Sequence, residues 1–176
     1  MLFRSSTIIY SGAATSFNTD DLEERNYILT LYDKAENNLT LYFVIDKTAP
    51  VFSLNAFYNA SETVRLRVTE NNLNYIVLDE DVTEQTTFAA SNLEDGEHTV
   101  YVYDKAGNVT TQTFIIDKTA PVLYLADYYS AGKNVYLLPI DVNLYYLKLD
   151  GVVIEEGVIV SNDLSEGLHT VIGNDN

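Results

Sequence analysis

YVYDKAGNVTTQTFIIDKTAPV, at residues 101–122, has a close copy earlier in the chain, LYDKAENNLTLYFVIDKTAPV at residues 31–51. The two stretches are offset by 71 positions, and 15 of the 29 residues at 22–50 are identical to the residue 71 positions later, with no gap. Repetition at a fixed period indicates a chain of similar structural units.

The same offset relates the middle of the chain to its end. LEDGEHTVYVYDK at residues 93–105 aligns with LSEGLHTVIGNDN at residues 164–176, and 20 of the 56 residues at 50–105 recur 71 positions later. We therefore predict three segments: the C-terminal part of one repeat at 1–45, a complete repeat at 46–116, and the N-terminal part of a third at 117–176. Both end segments are interpreted as truncated modules of a longer array.

Composition excludes several partners. The net charge of −16 would repel nucleic acid and anionic membrane surfaces. The chain has no cysteine, which excludes disulfides and thiolate metal sites. It also has no apolar run of transmembrane length. Residues 1–17 make a poor signal peptide, so for an exported protein the signal and anchor are expected outside this chain.

Short alternating patterns predict strands throughout. Residues 29–32 and 39–45 flank a polar turn and predict a hairpin. The middle repeat predicts further strands at 51–57, 64–68, 75–78, 86–89, 99–103 and 111–116. Such short strands with frequent turn signals and no helical periodicity indicate an all-β chain of antiparallel β-sandwiches.

Two positions predict local irregularities. Pro139 stands where the middle repeat has Val68, and proline cannot donate to a β-ladder, so the strand there must end, bulge or lie at an edge. Glu36 stands where the second copy has Gly107. If that turn requires a positive φ, Glu36 is strained.

The G-x-HTV strand, DKAGN turn, F-x-I strand and IDKTAPV linker together resemble the bacterial immunoglobulin-like (Big-type) repeats of large surface proteins and adhesins. The resemblance covers nearly the whole chain. It implies tandem immunoglobulin-like sandwiches in an extracellular stalk or adhesion module, next to further repeats of the same kind. Pro50 in the linker restricts its own φ and that of Ala49, which favours a stiff junction between modules.

Four aspartates recur at the module ends, namely Asp33 and Asp104 in the DKA turns and Asp46 and Asp117 in the linkers. Related adhesin repeats hold calcium at such places, and carboxylates are suitable hard ligands for it. The alternative is that these aspartates cap turns by accepting hydrogen bonds from nearby amides. We favour the caps, because the chain has no DxDxDG-type loop. A second acidic cluster, Asp79, Glu80 and Asp81, is interpreted as a solvated loop.

Catalysis has little support, and we expect no enzyme. His98 and His169 occupy one repeat position in different modules, and each is expected at a strand start on the surface. Ser130 and Lys133 fit an S-x-x-K pattern, but that motif requires a helix and lies here in a predicted loop.

Two functions stay open, and the first is a spacer made of repeats. The second is an adhesin module that binds a host or cell-surface glycan or protein through loops or a tyrosine face. The divergent loops at 55–63 and 126–134 and the tyrosines at 101, 103, 128 and 129 are the candidates for the second. Neutral loop drift and cross-strand pairing of the tyrosines explain the same features.

Overall fold

The computed structural model describes residues 6–7, 18–154 and 157–175. These residues form strands and three 3-10 helices of three residues each, at Thr19–Asp21, Ala90–Asn92 and Ser161–Asp163. The strands are β1 (Ser6–Thr7), β2 (Arg25–Tyr32), β3 (Asn38–Ile45), β4 (Val51–Ser53), β5 (Phe57–Asn59), β6 (Thr63–Arg65), β7 (Arg67–Thr69), β8 (Leu73–Leu78), β9 (Asp81–Thr83), β10 (Thr87–Ala89), β11 (Gly96–Asp104), β12 (Val109–Asp117), β13 (Asn134–Leu137), β14 (Leu144–Leu149), β15 (Val152–Ile154), β16 (Gly157–Val160) and β17 (Val171–Asp175). The expected all-β class is confirmed, and no helix in the described ranges could cross a membrane.

The described strands form several sheets, as an immunoglobulin-like β-sandwich requires. The largest has the order β5-β12-β11-β8-β9, and three-stranded sheets have the orders β1-β2-β3 and β15-β14-β17. Two-stranded sheets join β10 to β6, β13 to β16 and β4 to β7. Most pairs are antiparallel, but β5 pairs with β12 in parallel, as β1 does with β2.

The predicted hairpin of the first segment is confirmed. β2 and β3 pair from Arg25 opposite Ile45 to Tyr32 opposite Asn38. Tyr27 is buried and stacks on Phe43, with 5.3 Å between ring centroids. The sequence stretch at residues 1–17, apart from 6–7, lies outside the described residues.

The predicted strand at 51–57 is wrong as one element. It is divided into β4 and β5, which pair with different partners, β7 and β12. Between them the Asn55 amide donates to the Tyr58 hydroxyl at 2.8 Å, and the Ala56 carbonyl accepts from Ile115 at 2.8 Å. The chain thus leaves one ladder and joins another, a common way for a strand to change sheets.

The predicted strand at 64–68 is interrupted in the same way. Leu66 separates β6 from β7, because its amide donates to the Thr86 carbonyl. The alternation that predicted the strand is nevertheless real. Val64 and Leu66 are buried while Arg65 and Arg67 are exposed. In the third repeat, β13 ends at Leu137, so the expected break near Pro139 is confirmed.

The chain divides into two compact units, the first made of Met1–Phe52, Val68–Glu84 and Val100–Gln112, the second of Ser53–Arg67, Gln85–Thr99 and Thr113–Asn176. Each unit contains one Asp-Lys-Thr-Ala-Pro linker. The apolar side chains buried in the first unit are Tyr27, Ile45, Phe52, Ile76, Leu78, Val100 and Val102. Those buried in the second are Tyr58, Val64, Leu66, Ala90, Phe114, Ile116, Val135, Leu137 and Leu147. The repeat boundaries expected from the sequence stay predictions.

Candidate functional site

Asp33 and Asp104, which are equivalent in the repeat, close equivalent turns. Oδ1 of Asp33 accepts from the backbone amides of Ala35 and Asn37 at 2.8 and 2.9 Å, and Oδ2 accepts from the Asn37 side chain at 2.8 Å. Asp104 makes the same three bonds 71 positions later, to Ala106 and Asn108, at 2.8 to 2.9 Å. This is the geometry that the cap interpretation predicts.

The turns differ in strain and in burial. Glu36 has φ of 68° where Gly107 has 91°, so the expected strain at Glu36 is confirmed. Asp33 is exposed, whereas Asp104 is fully buried. The buried carboxylate of Asp104 is tolerated because N–H groups of its own turn donate hydrogen bonds to both of its oxygens.

Asp46 and Asp117 occupy equivalent positions in the two linkers and are held alike. Oδ1 of each accepts from the backbone amide two residues later, Thr48 or Thr119, at 3.2 and 3.1 Å. Oδ2 accepts from an asparagine of the following repeat, Asn72 at 3.0 Å or Asn143 at 2.6 Å. Asn72 and Asn143 are themselves 71 positions apart, so the bond recurs with the repeat.

The lysine of each linker contacts the preceding repeat. Lys47 Nζ donates to the Asp20 carbonyl at 2.9 Å. Lys118 Nζ donates to the carbonyls of Ser91, which is equivalent to Asp20, and of Leu93. These contacts span 25 to 27 positions of the chain. They were missed from the sequence, although the recurrence of the lysine was visible there.

A further acidic contact accompanies each lysine. Thr48 Oγ1 donates to the Glu24 carboxylate at 2.8 Å, and the Lys118 amide donates to the carboxylate of Asp95, the equivalent of Glu24, at 2.8 Å. In each linker, therefore, one acid of the preceding repeat accepts a hydrogen bond, from Thr48 in the first linker and from Lys118 in the second.

Hydrogen bonding lowers the pKa of Asp33 and of Asp117. The side-chain amide of Asn37, followed by its backbone amide, lowers the pKa of Asp33. Burial raises the pKa of Asp117, but hydrogen bonds from Asn143 and Thr119 outweigh it, and the net shift is downward. Both groups are therefore held in the ionised form, which is the form that accepts these bonds.

The donor set around these aspartates bears on calcium. N–H groups, which carry partial positive charge, point at both oxygens of Asp33 and of Asp104. These N–H groups take up part of the acceptor capacity of each carboxylate, which has about four lone-pair sites, and so reduce what it can offer a cation. In the part of the chain that the structure describes, no three His, Cys, Asp or Glu side chains are grouped to hold a metal ion. Asp33, Asp46, Asp104 and Asp117 as calcium ligands stay a prediction.

An open groove in the third repeat has a volume of about 450 Å³. We call it the tyrosine groove, and it is lined by Tyr129, Gly132, Lys133, Asn134 and Tyr136. Four of these residues lie in the divergent loop at 126–134, and the fifth lies in β13. Tyr129 was among the four tyrosines that the sequence singled out, whereas its neighbour Tyr128 is 93% exposed and does not line the groove.

Two main-chain hydrogen bonds of this groove recur in the middle repeat. The Lys133 amide donates to the Ser130 carbonyl at 3.3 Å, as the Glu62 amide does to Asn59 at 3.1 Å. The Lys133 carbonyl accepts from Ser161, as the Glu62 carbonyl does from Ala90. The two turns thus share these main-chain bonds, although the backbone differs at Gly132, which has φ of 74° where the equivalent Ser61 has no positive φ.

The side chains change role between the two repeats. In the middle repeat, Glu62 caps its own turn by accepting from the Asn59 amide at 2.9 Å. In the third repeat the 3-10 helix takes over: Asn162 accepts from Gly132 at 2.9 Å, and Ser161 Oγ from Lys133 at 3.1 Å. Lys133 is exposed, and its ammonium has no hydrogen-bond or ion-pair partner among the described residues.

The other sequence candidates are placed as follows. Tyr103 lies opposite Tyr75 and stacks on it at 4.7 Å, as the cross-strand interpretation predicts. Ser130 and Lys133 lie in a loop and turn, not on a helix, as expected. Asp79, Glu80 and Asp81 are exposed at the turn between β8 and β9, as the loop interpretation predicts.

The expectation that both histidines lie at the surface is wrong for His98. Its ring stacks on Phe114 at 5.3 Å, and only 7% of the residue is exposed. His169 is half-buried, and its Nδ1 lies 2.6 Å from Oδ2 of Asp150. Periodicity located the strand but did not show which aromatic ring covers His98.

Comparison with solved structures finds a distant similarity. A Bacteroides ovatus protein, SGBP-B of a mixed-linkage glucan utilization locus, solved in complex with a mixed-linkage heptasaccharide, matches with a TM-score of 0.32 and 16% identity. The match covers 88% of this chain and 48% of that one, so the chain spans about half the length of SGBP-B. No curated protein matches the chain.

A family model gives the more direct assignment. Residues 33–118 match the model of the bacterial Ig-like domain. The matched range contains β3 to β12, the Asp-Lys-Ala turns and the first linker, which are the features on which the resemblance rested. The match therefore supports a Big-type Ig-like domain in this part of the chain.

Proposed function

We propose that the chain is a non-enzymatic spacer in a bacterial cell-surface protein, made of Ig-like repeats that hold an adhesive part away from the cell. One observation carries this proposal. Equivalent residues hold the two linkers by equivalent hydrogen bonds, Lys47 and Lys118 to the preceding repeat and Asp46 and Asp117 to the following one. A junction bonded on both sides restricts bending, which a spacer needs.

Side chains of the following repeat donate further hydrogen bonds to the first linker. The side chains of Asn108, Thr110 and Gln112, at alternate positions of the chain, donate to the carbonyls of Asp46, Pro50 and Phe52 at 3.1, 2.5 and 2.8 Å. Alternate residues of a strand point to one side. One side of the chain at 108–112, formed by Asn108 and the first part of β12, therefore binds the linker and the start of β4. Pro50 removes a backbone donor that this arrangement does not use.

The spacer role predicts a stiff junction, which can be measured between two spin labels. The chain has no native cysteine, so Tyr42→Cys and Val82→Cys, 77% and 71% exposed, allow labelling on either side of the first linker. We expect a narrow distribution of label distances by pulsed electron paramagnetic resonance. The double variant Lys47→Ala, Asn72→Ala should broaden it, because it removes the bonds to both repeats.

Lys34→Ala, in an exposed turn outside the linker, is the matched control and should leave the distribution narrow. A broad distribution in the unmodified chain would contradict the spacer proposal. So would a distribution that the double variant leaves unchanged while unfolding experiments show it to be folded.

A further inference from the structure

We propose that the tyrosine groove binds a neutral oligosaccharide. The groove would make the third repeat a recognition module as well as a spacer element. This inference does not depend on the spacer role, since it concerns a side-chain set that the linkers do not use.

Two aromatic rings provide the surface on which a sugar ring can lie. Tyr136 is 53% exposed and Tyr129 is 39% exposed. Aromatic faces carry partial negative charge and attract the positively polarised C–H groups on the face of a pyranose. The equivalent positions of the middle repeat offer no such surface. Tyr58, the equivalent of Tyr129, is only 3% exposed, and Arg65 stands at the position of Tyr136.

Hydrogen bonds hold both tyrosines in place before any ligand arrives. The Tyr129 hydroxyl accepts from the Ala126 amide at 3.0 Å, and the Tyr136 hydroxyl accepts from the Asn134 side chain at 3.4 Å. The first of these bonds recurs in the middle repeat between Tyr58 and Asn55. Fixed rings lose little freedom on binding, which favours affinity.

Polar groups on the same groove suit the oxygens of a sugar. Lys133 carries three N–H donors, which have no partner among the described residues, and Asn134 supplies an amide donor and an acceptor. The groove is open, with a volume of about 450 Å³, so a ligand would lie on it partly exposed to solvent and would not be enclosed. Aromatic faces with a few polar groups between them form the usual lining of such sites.

Charge selects a neutral ligand over an acidic one. The chain carries −16, so an acidic glycan would be repelled over most of the surface. One ammonium in the groove donates hydrogen bonds to hydroxyl oxygens without creating a basic patch. The charge change from Glu62 to Lys133 therefore adds donors to the loop where the middle repeat has an acceptor that is used internally.

Affinity electrophoresis of the full chain tests this site. Native gels would contain a neutral polysaccharide (laminarin, xyloglucan, mannan or starch), an acidic one (polygalacturonate or heparin), or none. We expect retarded migration with at least one neutral polysaccharide and with neither acidic one. Lys133→Glu and Tyr136→Arg place the middle-repeat residues in the groove and should each weaken binding by roughly tenfold or more.

Lys133→Glu copies the side chain that the same turn carries in the middle repeat, and Tyr136→Arg copies the arginine at the equivalent position of β6, so both variants are expected to fold. Tyr124→Ala, at an exposed tyrosine outside the groove, is the control and should bind as the unmodified chain does. Retardation by none of the neutral polysaccharides would overturn the proposal. Retardation that both groove variants retain, or retardation by the acidic polysaccharides alone, would overturn it as well.

Discussion

The side-chain amide of Asn108 donates to the backbone carbonyl of Asp46 at 3.1 Å, across 62 positions of the chain. The same amide group donates to Oδ2 of the buried Asp104 at 2.8 Å. Asn108 thereby connects the turn that it closes to the linker at the other end of its repeat. Among the residues that the structure describes, the side-chain amide of Asn37, its equivalent in the first repeat, makes only the bond within its turn.

This difference predicts unequal costs for two matched substitutions. Asn108→Ala should lower the free energy of unfolding by about 2 to 3 kcal/mol, because the buried Asp104 loses a donor and the linker loses its bond. Asn37→Ala removes the same turn bond at an exposed site and should cost clearly less. Urea unfolding followed by circular dichroism measures both. Equal losses would show that the contact between Asn108 and the linker contributes nothing.

Glu36 is strained at φ of 68°, and its repeat equivalent is Gly107. Glu36→Gly should raise the free energy of unfolding by about 0.5 to 1 kcal/mol. A left-handed conformation costs a non-glycine residue about 1 to 2 kcal/mol, and the extra freedom of glycine in the unfolded chain offsets part of that gain.

Lys34→Gly, at the neighbouring turn residue without a positive φ, is the control for this substitution. It should lower stability, since it adds freedom to the unfolded chain and relieves no strain. A destabilising effect of Glu36→Gly in thermal unfolding would mean that the side chain at position 36 makes a contribution larger than its strain.

Some turns and strand ends can be predicted from the sequence because they depend on residues that are close together in the chain. The turn that Asp33 caps is determined by the five adjacent residues at 33–37. The positive φ at Glu36 could be predicted because its equivalent in the second copy is Gly107. The end of β13 before Pro139 follows from a missing N–H. The division of 51–57 into β4 and β5 does not follow from local pattern, since it depends on pairing with β12, more than 50 positions later.

The candidate sites show the same limit. Asp46 and Asp117 were found by their recurrence, but their partners Asn72 and Asn143 lie 26 positions away and become neighbours only on folding. For the tyrosine groove the sequence did contain a signal, the charge change between Glu62 and Lys133. Loop divergence alone does not separate such a change from drift, because the sequence does not show that Asn162 and Ser161 bond to the amides of Gly132 and Lys133 in place of a side chain of the loop itself.

Calcium provides a direct test of the four aspartates. We expect the melting temperature of the full chain to be the same with calcium and with chelator. N–H donors already bond to both oxygens of each of the four aspartates, and among the described residues no three acidic side chains are grouped around one point. An ion that binds only the folded chain would raise it with the logarithm of its concentration. A rise that Asp46→Asn and Asp117→Asn abolish would instead establish calcium at the linkers and contradict the cap interpretation.

The pair formed by His169 and Asp150 should make stability depend on pH. The hydrogen bond between the His169 ring and the Asp150 carboxylate, with a smaller contribution from the Ser165 carbonyl, raises the pKa of His169 above 6.5. The same bond, with that from the Thr170 amide, lowers the pKa of Asp150 below 3.8. The contribution of His169 to the stability of the folded chain is fully present below pH 6.5 and is lost as the pH rises through the pKa that His169 has in the folded chain. The contribution of Asp150 to stability is fully present above pH 3.8 and is lost as the pH falls through the pKa that Asp150 has in the folded chain.

The pair therefore stabilises most between about pH 3.8 and 6.5. Titration of the two histidine ring signals by nuclear magnetic resonance, assigned with His169→Gln, should give His169 a midpoint above 6.5. Asp150→Asn, which suits the left-handed backbone at this position, should return that midpoint towards 6.5 and reduce the stability difference between pH 5 and pH 8. A midpoint at or below 6.5 in the unmodified chain would show that the 2.6 Å contact is not an ion pair in solution.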